Sequence, residues 1–139
     1  MHNSSPTGKP RSLPWRILAY LWAAPVTLPA LLLFVPIAGL SGGKVHWLCG
    51  AIEVEGGWIA VLLRRLGAAA MALGHVILGR DQESLDRSRH HEHVHVRQYE
   101  RWGFLMLPIY LTASLFLWLR GYDPYLDNPF EREAFGEEK

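Results

Sequence analysis

From Trp15 to Leu40 the chain is almost uninterruptedly apolar, with Arg16 as its only charged side chain. A stretch of this length can cross a hydrocarbon core of about 30 Å, and few small water-soluble domains could cover so much apolar surface. It predicts a membrane segment, and it leaves one modest domain to the rest of a 139-residue chain. The run exceeds a signal-peptide core of about 7–15 residues and no small-x-small cleavage site follows, so a retained anchor is expected. Pro25, Pro29 and Pro36 predict kinks and leave a short re-entrant hairpin as the alternative to a straight span.

The flanks of this run orient it. Residues 1–13 are polar and rich in Ser, Pro and Gly, the composition of a disordered head. Lys9, Arg11 and Arg16 precede the apolar run, whereas Lys44 alone follows before Glu53 and Glu55. The excess of positive charge on one flank predicts a cytoplasmic head and an exported remainder. Gly39, Ser41, Gly42 and Gly43 read as a flexible exit. Fourteen basic residues against thirteen acidic ones provide no basic patch, which argues against a nucleic-acid partner. Cys49 is the only cysteine and excludes an internal disulfide.

Residues 44–80 suggest short strands: VHWLCGAIEV, a turn at Gly56–Gly57, then WIAVLLRRL and AMALGHVILG. Arg64 and Arg65 stop the apolar run at 58–63, which argues against a second long span there. His75 stands alone in the third stretch and reads as a structural or exposed histidine. A further apolar segment, 104–119, is short for a span yet suited to membrane contact.

Between these lies H-E-H-V-H at 91–95, within a charge-rich stretch, 81–102, that contains no Gly or Pro and favours a helix. On a helix His91 and His95 stand one turn apart on one face, with Gln98 and Trp102 continuing the stripe and Glu92 alongside. Two neutral imidazoles suit Zn²⁺, and a carboxylate next to them can take a proton from water activated by the ion. Period-two alternation of His91, His93 and His95 offers a strand as the alternative. A dense tract of His90, His91, His93 and His95 can also bind metal without catalysis.

A catalytic zinc takes three protein ligands. Downstream of the histidines the acidic candidates are Asp123, Asp127, Glu131, Glu133, Glu137 and Glu138, with Glu133 and Asp127 as reserve ligands to Glu131 of the C-terminal segment, whereas Glu100 would point elsewhere from the same helix. Asn128 and Pro129 suit the N-cap and first position of a short C-terminal helix. Glu131, three residues after Asn128, could equally close a capping box.

H-E-H-V-H-V-R-Q followed by N-P-F-E-R-E-A resembles the gluzincin class of zinc metallopeptidases, in particular its small bacterial members. The resemblance covers mainly residues 73–135. It implies His91, His95 and Glu131 as zinc ligands, Glu92 as general base, and Ala134 as the small residue three positions on. It also implies a small sheet before the active helix, whose edge strand, expected at 73–79, aligns a peptide substrate. Phe135 stands where thermolysin-like members carry Asp, and no histidine follows His95, so Tyr110, Tyr122 and Tyr125 are the candidate phenolic donors.

The expectation is an α+β protein of the bacterial cytoplasmic membrane. A head (1–13) and a transmembrane helix (14–40) precede a minimal zincin-like domain (44–139) that cleaves a peptide or protein substrate on the exported side. The alternative is a non-catalytic membrane protein whose histidine tract holds metal. The first reading requires that 104–119 does not cross the membrane, because a crossing would part His91 from Glu131.

Overall fold

A computed structural model describes residues 12–137. Residues 1–11 of the expected head lie outside the described residues, and Leu13 already belongs to the first helix. That helix, α1 (Leu13–Ser41), is continuous through Pro25, Pro29 and Pro36 and ends at Gly42, whose φ of 80° lets its N–H turn back to Ala38 O. The hairpin alternative is therefore not adopted. One side of α1 buries the small residues Ala19, Ala23, Val26, Ala30 and Ala38, whereas Leu21, Leu28, Leu32 and Leu40 remain exposed.

Small residues let α1 approach closely, and it is bonded to the rest of the chain at several levels. Tyr20 Oη donates to Gly50 O at 2.7 Å, Thr27 Oγ1 accepts the N–H of His75 at 3.0 Å, and Ser41 Oγ accepts that of Trp58 at 3.0 Å. A Cβ on Gly74 would lie 2.2 Å from Thr27 Oγ1, so glycine is needed for that approach. The expected loose exit at 39–43 is thus a tight junction, because Ser41 and Gly43 are engaged by neighbouring elements.

Four strands follow: β1 (Lys44–Leu48), β2 (Ala51–Glu55), β3 (Ala70–Leu73) and β4 (Val76–Gly79). Their order is β1-β2-β4-β3, with β2 and β4 parallel and the other neighbours antiparallel. VHWLCGAIEV is a hairpin, turned by Cys49 and Gly50 with φ of 55° and 81°, and AMALGHVILG is a second one. Parallel pairing needs a crossover, and the expected strand WIAVLLRRL is instead that crossover, α2 (Gly57–Leu66). Ile59, Ala60 and Leu63 face inward while Trp58, Val61 and Leu62 face outward, a period of 3.6 that belongs to a helix. The expected edge, 73–79, is also corrected: β4 lies inside the sheet, and β3 and β1 are its edges, with β3 the one beside α3.

Alternation along β4 divides the interior. Val76 and Leu78 join Ala30, Ala38, Ile59 and Leu63 of α1 and α2, whereas Ile77 joins Leu85 and Val96 of α3 (Gln82–Trp102). The strand alternative for 91–96 is excluded, since those residues are mid-helix. Asp81 caps α3, its Oδ1 accepting the N–H of Ser84 at 2.7 Å. Arg89 fixes α3 against β2 by donating from Nε to Glu53 Oε2 at 2.9 Å and from a terminal nitrogen to Oε1 at 3.0 Å. Glu53 is fully buried, so this bidentate pair is what makes its burial tolerable.

After a short 3₁₀ turn, α4 (Met106–Leu119) leaves the body with only Met106 buried. Its 14 residues extend about 21 Å, less than a bilayer core. The following segment doubles back along it: Ser114 Oγ donates to Pro124 O, and Asn128 Nδ2 donates to Tyr110 O and to Ser114 Oγ. This return brings α5 (Pro129–Glu137) beside α3. The fold is thus α+β, with a small mixed sheet. Two helical stretches, Leu13–Ser41 and Gln82–Leu119, are long and apolar enough to cross a membrane by length and composition, which favours membrane association.

Two outcomes follow. In a Cys49→Ser background, single cysteines placed at exposed Glu83 and Arg132 should react with an impermeant maleimide from the same side of sealed vesicles; labelling from opposite sides would mean that α4 crosses. Arg89→Met should lower the unfolding free energy by about 3 kcal/mol, read from the denaturation midpoint in detergent, because buried Glu53 loses its bidentate partner.

Candidate metal centre

α3 and α5 meet at a point set by helical phase. His91 and His95 are one turn apart on the buried side of α3, and Glu131 reaches them from the first turn of α5. His91 Nε2 lies 2.9 Å from Glu131 Oε2, His95 Nε2 lies 3.1 Å from the same oxygen, and the two imidazole nitrogens are 3.2 Å apart. All three residues are buried. A tetrahedral zinc with bonds of about 2.0–2.1 Å separates its ligand atoms by about 3.3 Å, so this triangle needs little adjustment to fit one. Among the described residues these three form the group that could hold a metal ion.

The charges support that reading. Gln98 Nε2 donates to Phe130 O at 2.9 Å, which turns its Oε1 toward His95, and Oε1 accepts from His95 Nδ1 at 2.7 Å. With Nδ1 holding the proton, the neutral ring aims the lone pair of Nε2 at the Glu131 carboxylate. Two electron-rich atoms 3.1 Å apart in a buried place require a cation or an added proton between them. Burial opposes the charge on Glu131, but once that added proton makes the imidazoles donors, their hydrogen bonds and the one from Tyr110 outweigh it and hold the carboxyl at about 2.

Glu131 does not close a capping box. Asn128 caps α5 through Oδ1, which accepts the N–H of Phe130 at 3.0 Å, while the N–H of Asn128 goes to Tyr125 O. The carboxylate of Glu131 is left for the histidines and for Tyr110, whose Oη donates to Oε1 at 2.8 Å. Of the three candidate phenols, Tyr110 is bonded to Glu131, Tyr125 lines the adjoining cleft, and Tyr122 is exposed. Neither reserve ligand reaches the histidines: Glu133 accepts from Arg101, and Asp127 accepts the N–H of Asp123. Glu100 is turned to His75, which is buried and stacked on Tyr20 as a structural histidine. Phe135 packs on the His91 ring with centroids 4.6 Å apart, so an aromatic contact stands at the position where the resemblance would place a carboxylate.

Glu92 is buried next to the pair, and its Oε2 has no hydrogen-bond partner among the described residues. It lines a cleft of about 760 Å³ together with His91, His95 and Glu131, between the β3 edge and α4. A carboxylate oxygen left open beside a cleft is available to a water or a ligand. His90 and His93 are outside the cluster, so the histidine tract is split by helical geometry.

Sequence reasoning missed the orienting role of Gln98 and the second duty of Asn128, which ties the α4 return. The i, i+3 spacing of His95 and Gln98 was a usable signal, whereas nothing local marked Asn128 as a partner of Tyr110 and Ser114. No family model matches this chain, and no curated protein or solved structure matches it either.

Replacing Gln98 by Leu removes the group that fixes the His95 tautomer. Affinity for an added divalent metal ion should fall by about 10–100-fold in a chelator competition while helix content by circular dichroism is retained. Unchanged affinity would mean that Gln98 serves packing alone.

Proposed function

We propose that this protein is a membrane-associated zinc metallopeptidase of gluzincin type. The observation that carries the reading is the convergence of His91 Nε2, His95 Nε2 and Glu131 Oε2 at 2.9–3.2 Å, with an unpartnered oxygen of Glu92 facing the same cleft. Two imidazoles and a carboxylate are a zinc donor set, and the H-E-x-x-H and N-x-x-E-x-x-A motifs supply the same residues in the same roles.

When bound there, zinc would polarise a scissile carbonyl and acidify water. Glu92 takes a proton from the attacking water as the new C–O bond forms, and returns it to the amine as the C–N bond breaks. His91, His95 and Glu131 hold the ion, Gln98 keeps Nε2 of His95 available, and Tyr110 restrains the carboxylate of Glu131. Basic residues ahead of the apolar run favour a cytoplasmic head and the cluster opening on the exported side; a bacterial cytoplasmic membrane follows from the resemblance of the motifs to small bacterial gluzincins.

The experiment is zinc retention and hydrolysis measured on the same protein. Glu92→Gln should keep one zinc and lose hydrolysis of an unfolded protein substrate, because only the proton acceptor is removed. His91→Ala, His95→Ala and Glu131→Gln should lose zinc at chelator concentrations that wild type survives, whereas His90→Ala and His93→Ala should retain it. Graded loss across all four histidine variants would instead establish the non-catalytic tract.

A further inference from the structure

The cleft beside the cluster is chemically different at its two ends. It follows α3 from Arg87 and Ser88, through His91 and His95, to Tyr99, a run of about 18 Å along the helix axis. At the Arg87 end Arg87 and Ser88 supply a charge and a hydroxyl beside Leu66 and the small residues Gly67, Ala68 and Ala69. Beyond His95 the lining is Tyr99, then Met106, Leu107 and Leu111 of α4. This apolar end does not stop at the cleft: Leu111 is 63% exposed, and Leu115, Phe116 and Trp118 of α4 continue it as an exposed apolar surface. α4 is the apolar end of the helical stretch Gln82–Leu119, which is long and apolar enough to cross a bilayer by length and composition.

A water-soluble peptide gains little from a binding surface that opens onto lipid, whereas a polypeptide already in the bilayer reaches it without leaving apolar surroundings. Resting on the peptidase reading, we propose that the substrate is a membrane-inserted polypeptide. Its apolar segment lies along α4 and its polar flank runs toward Arg87, so that the bond presented to the cluster is near the boundary between them. The outer edge of β3 forms one cleft wall and offers main-chain groups to such an extended segment. A bound bond at the apolar-polar boundary matches the position of the cluster, between the two ends.

The test uses the zinc-loaded full chain in phosphatidylcholine vesicles with two synthetic probes. One is a leucine–alanine membrane segment with a polar tail, and the other is the same tail alone in solution. The inserted probe should be cut near its boundary at least about ten-fold faster, the gain expected from burying one or two further apolar side chains. Leu111→Ser, an exposed position that should not disturb folding, should slow cleavage of the inserted probe several-fold and leave zinc content unchanged. Equal or faster cleavage of the soluble tail overturns this inference while sparing the peptidase reading. If neither probe is cut, a photo-crosslinker at Leu111 in the Glu92→Gln protein separates the cases. Crosslinking to the inserted probe alone supports the binding assignment and overturns the chemistry; no preference for that probe overturns both.

Discussion

Two buried imidazoles and a carboxylate pressed to within about 3 Å carry more lone pairs than protons, and such a group persists only with positive charge at its centre. Much of the architecture around it serves to impose that crowding. α3 supplies the histidines by its helical period alone. Glu131 arrives only because the chain after α4 turns back, and this return is held by Asn128, which is fully buried and bonded to Tyr110 O, Ser114 Oγ and the N–H of Phe130. One side chain thus caps α5 and sets where its first turn meets α3.

The second requirement is that the histidine face of α3 be held at fixed height on the sheet. Two contacts of different kinds achieve this. A Cβ on Gly79 of β4 would fall 2.4 Å from Leu85 Cγ, so helix and strand meet closely there. Arg89 grips buried Glu53 of β2 one helical turn later. Both lie on the N-terminal side of His91, and Gln98 with Phe130 O restrains the other side. The cluster is therefore braced from both directions along α3.

What was legible in the sequence followed local periodicity. The helix at 81–102 was read from its lack of Gly and Pro, and Asn128 was read as the cap of a C-terminal helix from residue type. These features depend on a few neighbouring residues. The crossover α2 was misread because WIAVLLRRL is apolar for several consecutive residues, so strand and helix share its pattern until the inward set Ile59, Ala60 and Leu63 is known. The edge strand was misplaced for a related reason: both halves of AMALGHVILG are apolar, and only the parallel pairing of β2 with β4 puts β3 outside. The choice of Tyr110 among three tyrosines depended on the return after α4, a long-range feature with no local signature.

The position of α1 bears on how the molecule meets a membrane. Trp22 donates to Arg101 O at the end of α3, Thr27 meets His75 ahead of β4, and Ser41 meets Trp58 at the start of α2. Contacts at these successive levels mean that the body lies alongside α1, and not beyond its end as a tethered domain would. A bilayer that covers the outward Leu21, Leu28 and Leu32 must then also come near elements packed on α1, among them α2, whose Trp58, Val61 and Leu66 are exposed. Apolar exposure on α1, α2 and α4 is difficult to explain by a tether alone, but it follows if the whole body is partly immersed. Under that geometry the exposure of α4 has the same physical cause as that of α1: both present apolar faces that lipid would cover.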